Sequence, residues 1–225
     1  MKRTLTSLLA IVALATSCTS QATIAPLPAL SMMAGLENWR HLDGRPAEWH
    51  RLDDGAIEVA PGTGNIITKV LFGDSLVELD FMCPVMPDAM GQARGNSGVY
   101  LQGLYEVQVL DSFGFEAGLN TCGAIYNVAV PLTNASLPPG EWQHYAIEFT
   151  APRFDKEGNV TENARITAHL NGTLIQDDIE VPAPTGSASG RDAVEYGPLM
   201  LQDHGNLVRY RNVAITPRFP DDEPD

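Results

Sequence analysis

Hydrophobic and polar residues alternate with period two along most of this chain. Such runs cover 56–59, 65–70, 75–83, 97–102, 105–110, 143–150, 164–170, 173–181, 198–202 and 207–216. Successive side chains of a strand point to opposite faces, so period two marks a strand with one face buried. Gly, Pro, Asn or Asp bounds each run, as strand ends require. Asn171-Gly172 predicts a tight hairpin, because both residues accept positive φ. Gly103-Leu104 predicts the turn of another hairpin. Ten short strands with almost no helical periodicity predict an all-β fold, a jelly-roll sandwich of two antiparallel sheets. Residues 112–142 are less regular and rich in Gly, Pro and Asn, and a loop of that length is expected to carry function or cover a site.

The two ends depart from this pattern. Lys2 and Arg3 precede an apolar run from Leu5 to Leu14, too short to span a bilayer and suited to a secretory signal over 1–17. Small residues before Cys18 resemble a bacterial lipoprotein cleavage box, which would make Cys18 the lipidated N-terminus; ordinary cleavage near Gln21-Ala22 is the alternative. Residues 18–33 then read as a tether, 34–217 as the catalytic jelly roll and 218–225 as an acidic, Pro-broken, disordered tail. The location expected from this is an exported, periplasmic or outer-membrane lipoprotein, touching the membrane through its lipid anchor only.

Composition narrows the function. The net charge is −14 with no clustered Lys or Arg, which argues against nucleic acid as a partner. Among the three cysteines, Cys83 and Cys122 remain after Cys18, and a disulfide and a pair of buried thiols are both open readings. No zinc spacing, phosphate loop, dinucleotide fingerprint or G-x-S-x-G elbow is present.

The informative segment runs from Gln92 to Ser112. Paired through a tight turn, its two strands put Val99, Leu101, Val107 and Val109 on one face and Tyr100, Gln102, Glu106 and Gln108 on the other. A solvent face usually carries Lys, Glu and Thr. Tyr and Gln beside Glu suit a sugar site, which needs flat apolar surface and fixed amide and carboxylate partners for hydroxyls. A later run places Gln202 and His204 together at a strand end, opposite Leu199 and Leu201.

These residues resemble a known family. Arg94 to Gln102 running into Tyr105 to Ser112 is similar to the 3-keto-disaccharide hydrolase domain family, also described as 3-keto-glycoside 1,2-lyases and 3-keto-2-hydroxy-glucal hydratases. Cys122 to Tyr126, Pro138 to Gln143, Ala151 to Asp155, Asn171-Gly172 with Gln176-Asp177, and Leu201 to Asn206 with Val208 to Asn212 extend the resemblance over about residues 48–216. The N-terminal part departs, with Met32-Met33-Ala34-Gly35 where the family's usual start would stand.

The resemblance implies a concanavalin-like jelly roll acting on glycosides whose sugar carries a ketone at carbon 3. That ketone acidifies the C2 proton, a base removes it, the C1 substituent leaves, and water adds. Glu106 and His204 are then the candidate catalytic residues. Arg94, Gln102, Gln108 and Gln202 would bind hydroxyls or the enolate, with Tyr100 as further sugar surface and Lys69 as an added positive charge. No cofactor is certain, a divalent cation on Glu106 or His204 is left open, and the oxidation at carbon 3 is assigned to a separate sugar oxidase. The alternatives are a retaining glycosidase, which needs two carboxylates about 5 Å apart, and a non-catalytic carbohydrate-binding module, since this fold serves both.

Overall fold

The computed structural model describes residues 31–32 and 35–218. The signal segment, Cys18, most of the tether and the tail after Arg218 lie outside the described residues.

All strand pairs are antiparallel. The larger sheet runs, edge to edge, β13 (Thr173–Val181), β12 (Ala164–Leu170), β9 (Gln143–Thr150), β6 (Ser75–Met82), β15 (Arg209–Pro217), β4 (Ile57–Glu58) and β3 (His50–Arg51). β1 (Ser31–Met32), at the end of the expected tether, pairs with β15. The smaller sheet runs β2 (Trp39–His41), β5 (Ile66–Thr68), β14 (Met200–Leu201), β7 (Ser97–Leu101) and β8 (Tyr105–Val109). A separate ribbon joins β10 (Arg153–Phe154) to β11 (Val160–Glu162). Each of the ten expected runs contains a strand. β1, β2, β3, β10 and β11 are two or three residues long, too short for a period-two pattern to declare them.

The hairpin between β12 and β13 turns on Asn171 and Gly172, both at positive φ, as their identities demand. The hairpin between β7 and β8 corrects the expected turn by one residue. Gln102 (φ 53°) and Gly103 (φ 68°) take the left-handed positions, and Leu104 N–H bonds back to the Leu101 carbonyl at 2.9 Å. Turn geometry thus reverses Gln102 out of the strand parity that would have placed it beside Tyr100.

The core lies between the sheets. Val77, Leu79 and Phe81 on β6, Tyr145, Ile147 and Phe149 on β9, and Ile166, Ala168 and Leu170 on β12 are fully buried, as are Val99, Leu101, Val107 and Val109 on the facing sheet. Each large aliphatic or aromatic side chain so buried contributes roughly 1.5–3 kcal/mol. Phe149 joins the layers, its ring centroid 5.7 Å from Tyr105 and 6.3 Å from Phe72. Two hydroxyls cross the same gap: Tyr210 donates to Ser97 Oγ at 2.6 Å, and Tyr145 to the Gln108 carbonyl at 2.7 Å. Cys83 and Cys122 are free, buried thiols, both pushed up in pKa by burial, with Cys122 Sγ 3.2 Å from the Tyr145 hydroxyl.

Because Phe149 touches both layers, Phe149→Ala should lower unfolding free energy by about 3–5 kcal/mol in urea titrations. A loss below about 1 kcal/mol would mean that other contacts hold the sheets together.

Candidate functional site

The long strands β6, β9 and β12 of the larger sheet bury one face, whereas β7 and β8 bury both. Their inner face packs on the larger sheet; their outer face is roofed by loops around 120–128 and 182–189, leaving a cavity of about 700 Å³. The strand register fixes what looks into it: Gly98 stands opposite Gln108 and Tyr100 opposite Glu106. Glu106, Tyr100 and Gln108 form the floor, Gln202 and His204 lie along one side, and Tyr126, Val128 and Pro182 to Ser187 form the roof.

Three consecutive roof residues, Thr185, Gly186 and Ser187, hold this floor. The Glu106 backbone N–H donates to Thr185 Oγ at 2.8 Å, and Thr185 N–H donates to the Leu104 carbonyl at 2.9 Å. Gly186 sits directly against the carboxylate at φ 53°, so an added Cβ would fall on Glu106 Oε2. Ser187 N–H donates to the Tyr100 hydroxyl at 3.2 Å, and Ser187 Oγ lies 3.1 Å from it. Below, Gly98 leaves the matching space: a Cβ there would come within 2.6 Å of Glu106 Oε1 and 2.8 Å of the Tyr100 ring.

Burial is the dominant influence on Glu106 and pushes its carboxyl up to about 7, against the opposing pull of the Tyr100 hydroxyl. Tyr100 is itself pushed well above the ordinary phenol range, first by burial and then by the neighbouring carboxylate. At neutral pH the pair therefore consists of a carboxyl poised between its two forms and a firmly protonated phenol. Gln202 Nε2 donates to the same phenol oxygen at 3.1 Å.

His204 stands exposed at the rim. Its loop is fixed by Asp203, whose carboxylate accepts N–H groups of Gly62, Gly64 and Gly205 at 2.8, 3.0 and 2.9 Å. A second group of amides supports Gln108. Its Nε2 reaches Gln92 Oε1 and Asn96 Oδ1 at 3.1 and 3.3 Å, while Asn96 N–H donates to Asn206 Oδ1 at 2.8 Å.

Of the residues singled out in the sequence, Tyr100, Glu106, Gln108, Gln202 and His204 converge on the cavity. Three do not. Arg94 is turned away, bonded through Nε and a terminal nitrogen to Asp111 Oδ2 at 3.0 and 2.6 Å and stacked over Phe115 at 5.0 Å. Asp111 is almost fully buried on the opposite strand face and needs that cation. Gln102, reversed by its turn, donates to the Phe72 and Glu195 carbonyls at 3.2 and 2.9 Å. Lys69 follows β5, is exposed, and does not line the cavity. Gln92, Asn96, Tyr126, Thr185, Gly186 and Ser187 belong to the site without having been singled out. Gln92 and Asn96 lay in the segment that drew attention and Tyr126 in a block of the family resemblance, whereas nothing in Pro184-Thr185-Gly186-Ser187 marks it as more than a loop.

No group of three or more His, Cys, Asp or Glu side chains gathers as a metal cluster among the described residues. A divalent cation in the cavity would have to rely on the Glu106 carboxylate, the His204 ring and the amide oxygens of Gln108 and Gln202. This donor set falls short of a dedicated metal centre.

The profile of the 3-keto-alpha-glucoside-1,2-lyase-like domain matches residues 34–216. The chain belongs to that family. A crystal structure provisionally named as a glycosyl hydrolase from Parabacteroides distasonis ATCC 8503 is 34% identical, with a TM-score of 0.75 over 81% of this chain and 80% of its own. A second structure from that organism, under the same name, is 23% identical, with a TM-score of 0.58 over 84% of this chain and 99% of its own; it supports the fold alone. No curated protein matches significantly. The 3-keto-alpha-glucoside-1,2-lyase-like domain thus spans every strand from β2 onwards and every cavity residue named above.

Glu106 also sets a pH signature on folding. Its folded pKa, about 7, lies above its unfolded value of about 4.5, so the native state holds a proton that the unfolded state has released. The sign follows: the native state gains most below about pH 4.5, and this advantage is lost as pH rises through about 7, on the order of 3 kcal/mol in all. Chemical denaturation of wild type and Glu106→Gln between about pH 5 and 8 should therefore show wild type losing stability relative to the variant as pH rises. A constant difference would place the carboxyl at its ordinary pKa.

Proposed function

We propose that this domain cleaves 3-keto-glycosides with Glu106 as the general base. The observation that carries the reading is that Glu106 is the only carboxylate among the described residues lining the cavity, and that burial tunes it to about 7. A base works best when its pKa lies near the working pH. A retaining glycosidase needs a second carboxylate about 5 Å away, and Asp111, the other acid of this segment, is committed to Arg94 on the far strand face. A binding module has no use for a buried, nearly neutral carboxyl, whose desolvation weakens folding without adding contact area.

The steps balance as follows. The Glu106 carboxylate takes the C2 proton, and the C–H electrons form the C2–C3 double bond of an enolate. The enolate re-forms the ketone, the electrons make a C1–C2 double bond, and the C1–O bond breaks. The departing oxygen takes a proton from His204 at the rim or from water. Water then adds its hydroxyl to C1 and gives its other proton back to whichever donor, His204 or water, protonated the departing oxygen; C2 regains the proton from Glu106, and the carboxylate is restored. The net reaction is hydrolysis, with elimination and hydration as its halves. Tyr100 holds the carboxylate in place, while the Tyr126 hydroxyl and the His204 ring are the donors available to a developing enolate oxygen.

Export belongs to the same proposal and rests on residues 1–18, with Cys18 as the anchor and a separate oxidase making the ketone. Loss of membrane association in Cys18→Ser cells would support the anchor; unchanged fractionation would remove it.

The decisive assay offers a glucoside and its 3-keto derivative side by side. Turnover of the keto sugar alone is expected, whereas turnover of the plain glucoside would favour a glycosidase. Glu106→Gln should lower kcat by roughly 10²–10⁴, and wild-type kcat/KM should rise with pH through about 7 as Glu106 loses its proton. A loss below tenfold would remove Glu106 from the role of base.

A further inference from the structure

Two side-chain amides in the cavity point oxygens at nothing. Gln108 Oε1 and Gln202 Oε1 are buried without a hydrogen-bond partner, and both residues line the cavity. Gln108 as a whole is 1% exposed. Its neighbours fix which end of the amide faces the ligand space. Gln108 Nε2 is surrounded by Gln92 Oε1, Asn96 Oδ1 and the Asn120 carbonyl at 3.1, 3.3 and 3.5 Å. Those partners are oriented by backbone carbonyls in turn: Gln92 Nε2 donates to Asn120 O at 2.9 Å, and Asn96 Nδ2 to Gln92 O at 2.8 Å. Turning the Gln108 amide over would set its oxygen among three other oxygens. Gln202 Nε2 bonds to the Tyr100 hydroxyl, whose own proton is directed to the Glu106 carboxylate, so the oxygen of that phenol accepts from the amide nitrogen.

A buried acceptor left unpaired weakens folding unless water or a ligand supplies a donor, and a ligand that displaces the water must replace that donor. A sugar hydroxyl is such a donor; an ether, an ester or a missing hydroxyl is not. The carbonyl oxygens cannot stabilise an enolate oxygen, which needs donors, so these amides do not belong to the charge-stabilising part of the reaction. Building on the glycoside reading above, we propose that Gln108, seconded by Gln202, is a specificity-determining residue. It restricts the substrate class to glycosides whose sugar has unmodified hydroxyls at the positions the two amides read, excluding deoxygenated, O-methylated and O-acylated sugars.

The test compares kcat/KM for the 3-keto derivative of a simple glucoside with those for its 2-, 4- and 6-deoxy analogues. Wild type should lose on the order of 10²-fold with at least one analogue, because a site built to bond a hydroxyl rejects the compound that lacks it. In Gln108→Leu the penalty for one such analogue should collapse towards unity; Gln202→Leu is the second variant, should Gln108→Leu not fold. Taking the parent-to-analogue ratio within each protein removes the folded fraction from the comparison. Ratios within threefold for every analogue in wild type, or wild-type ratios retained in the folded variants, would overturn the proposal. If no keto sugar is turned over, the proposed reaction fails by itself. Calorimetric titration with the unoxidised glucoside and its deoxy analogues then decides: selective loss of binding supports the amide reading, and equal binding or none overturns it.

Discussion

The constraint on which this molecule turns is the burial of one carboxylate between a strand and a loop. Glu106 sits on β8 with its side chain facing away from the hydrophobic core, where a sheet ordinarily meets water. The 182–189 loop prevents that meeting. Thr185 engages the strand backbone, Gly186 admits the carboxylate by offering no side chain, and Ser187 holds the phenol beside it. Without the loop, Glu106 would be an ordinary surface acid. With it, the same residue titrates near neutrality, and the register that pairs it with Tyr100 becomes a chemical arrangement instead of a cross-strand contact.

The sandwich makes this possible through stiffness. β7 and β8 are pinned from behind by Tyr210 on Ser97 and Tyr145 on the Gln108 carbonyl, so the strands that carry the site are hydrogen-bonded through their inner face. The inner hydroxyl on Gln108's backbone and the outer amides on its side chain act on one residue from both sides of the sheet. Side chains placed on paired strands hold their geometry better than those on loops. Here only His204 and the roof depend on loops, and Asp203 fastens the first of these to the 62–64 turn.

How much of this could be read from the chain depends on the range of the interaction. Period two found every long strand, and parity put Tyr100, Glu106 and Gln108 on one face, because both are properties of adjacent residues. Gln102 shares that parity in the sequence but loses it in the structure: the chain reverses one residue earlier than Gly103-Leu104 suggests, and φ 53° swings its side chain into the wall below Phe72 and Glu195. Arg94 stood in the right segment, yet the buried charge of Asp111 claimed it. The Thr185 contact with Glu106 spans 79 positions and comes from a Pro- and Ser-rich stretch whose composition says only loop. Burial of an outer strand face is a property of that distant pairing, so no local pattern announces it.

The placement of the cations completes the argument. The chain carries 28 acidic residues against 14 basic ones, yet the cavity floor holds one acid and otherwise neutral amides and phenols. A guanidinium or ammonium beside Glu106 would favour its charged form and pull its pKa down, making it a weaker base at neutral pH. Arg94 is the nearest candidate in sequence, and Asp111 holds it on the other face of the same strand pair. Amides avoid that effect because they carry no net charge, and they can still engage hydroxyls. The amides that line the cavity and the residue that keeps the arginine away therefore serve one end: a carboxylate whose basicity is set by desolvation and left undisturbed by its neighbours.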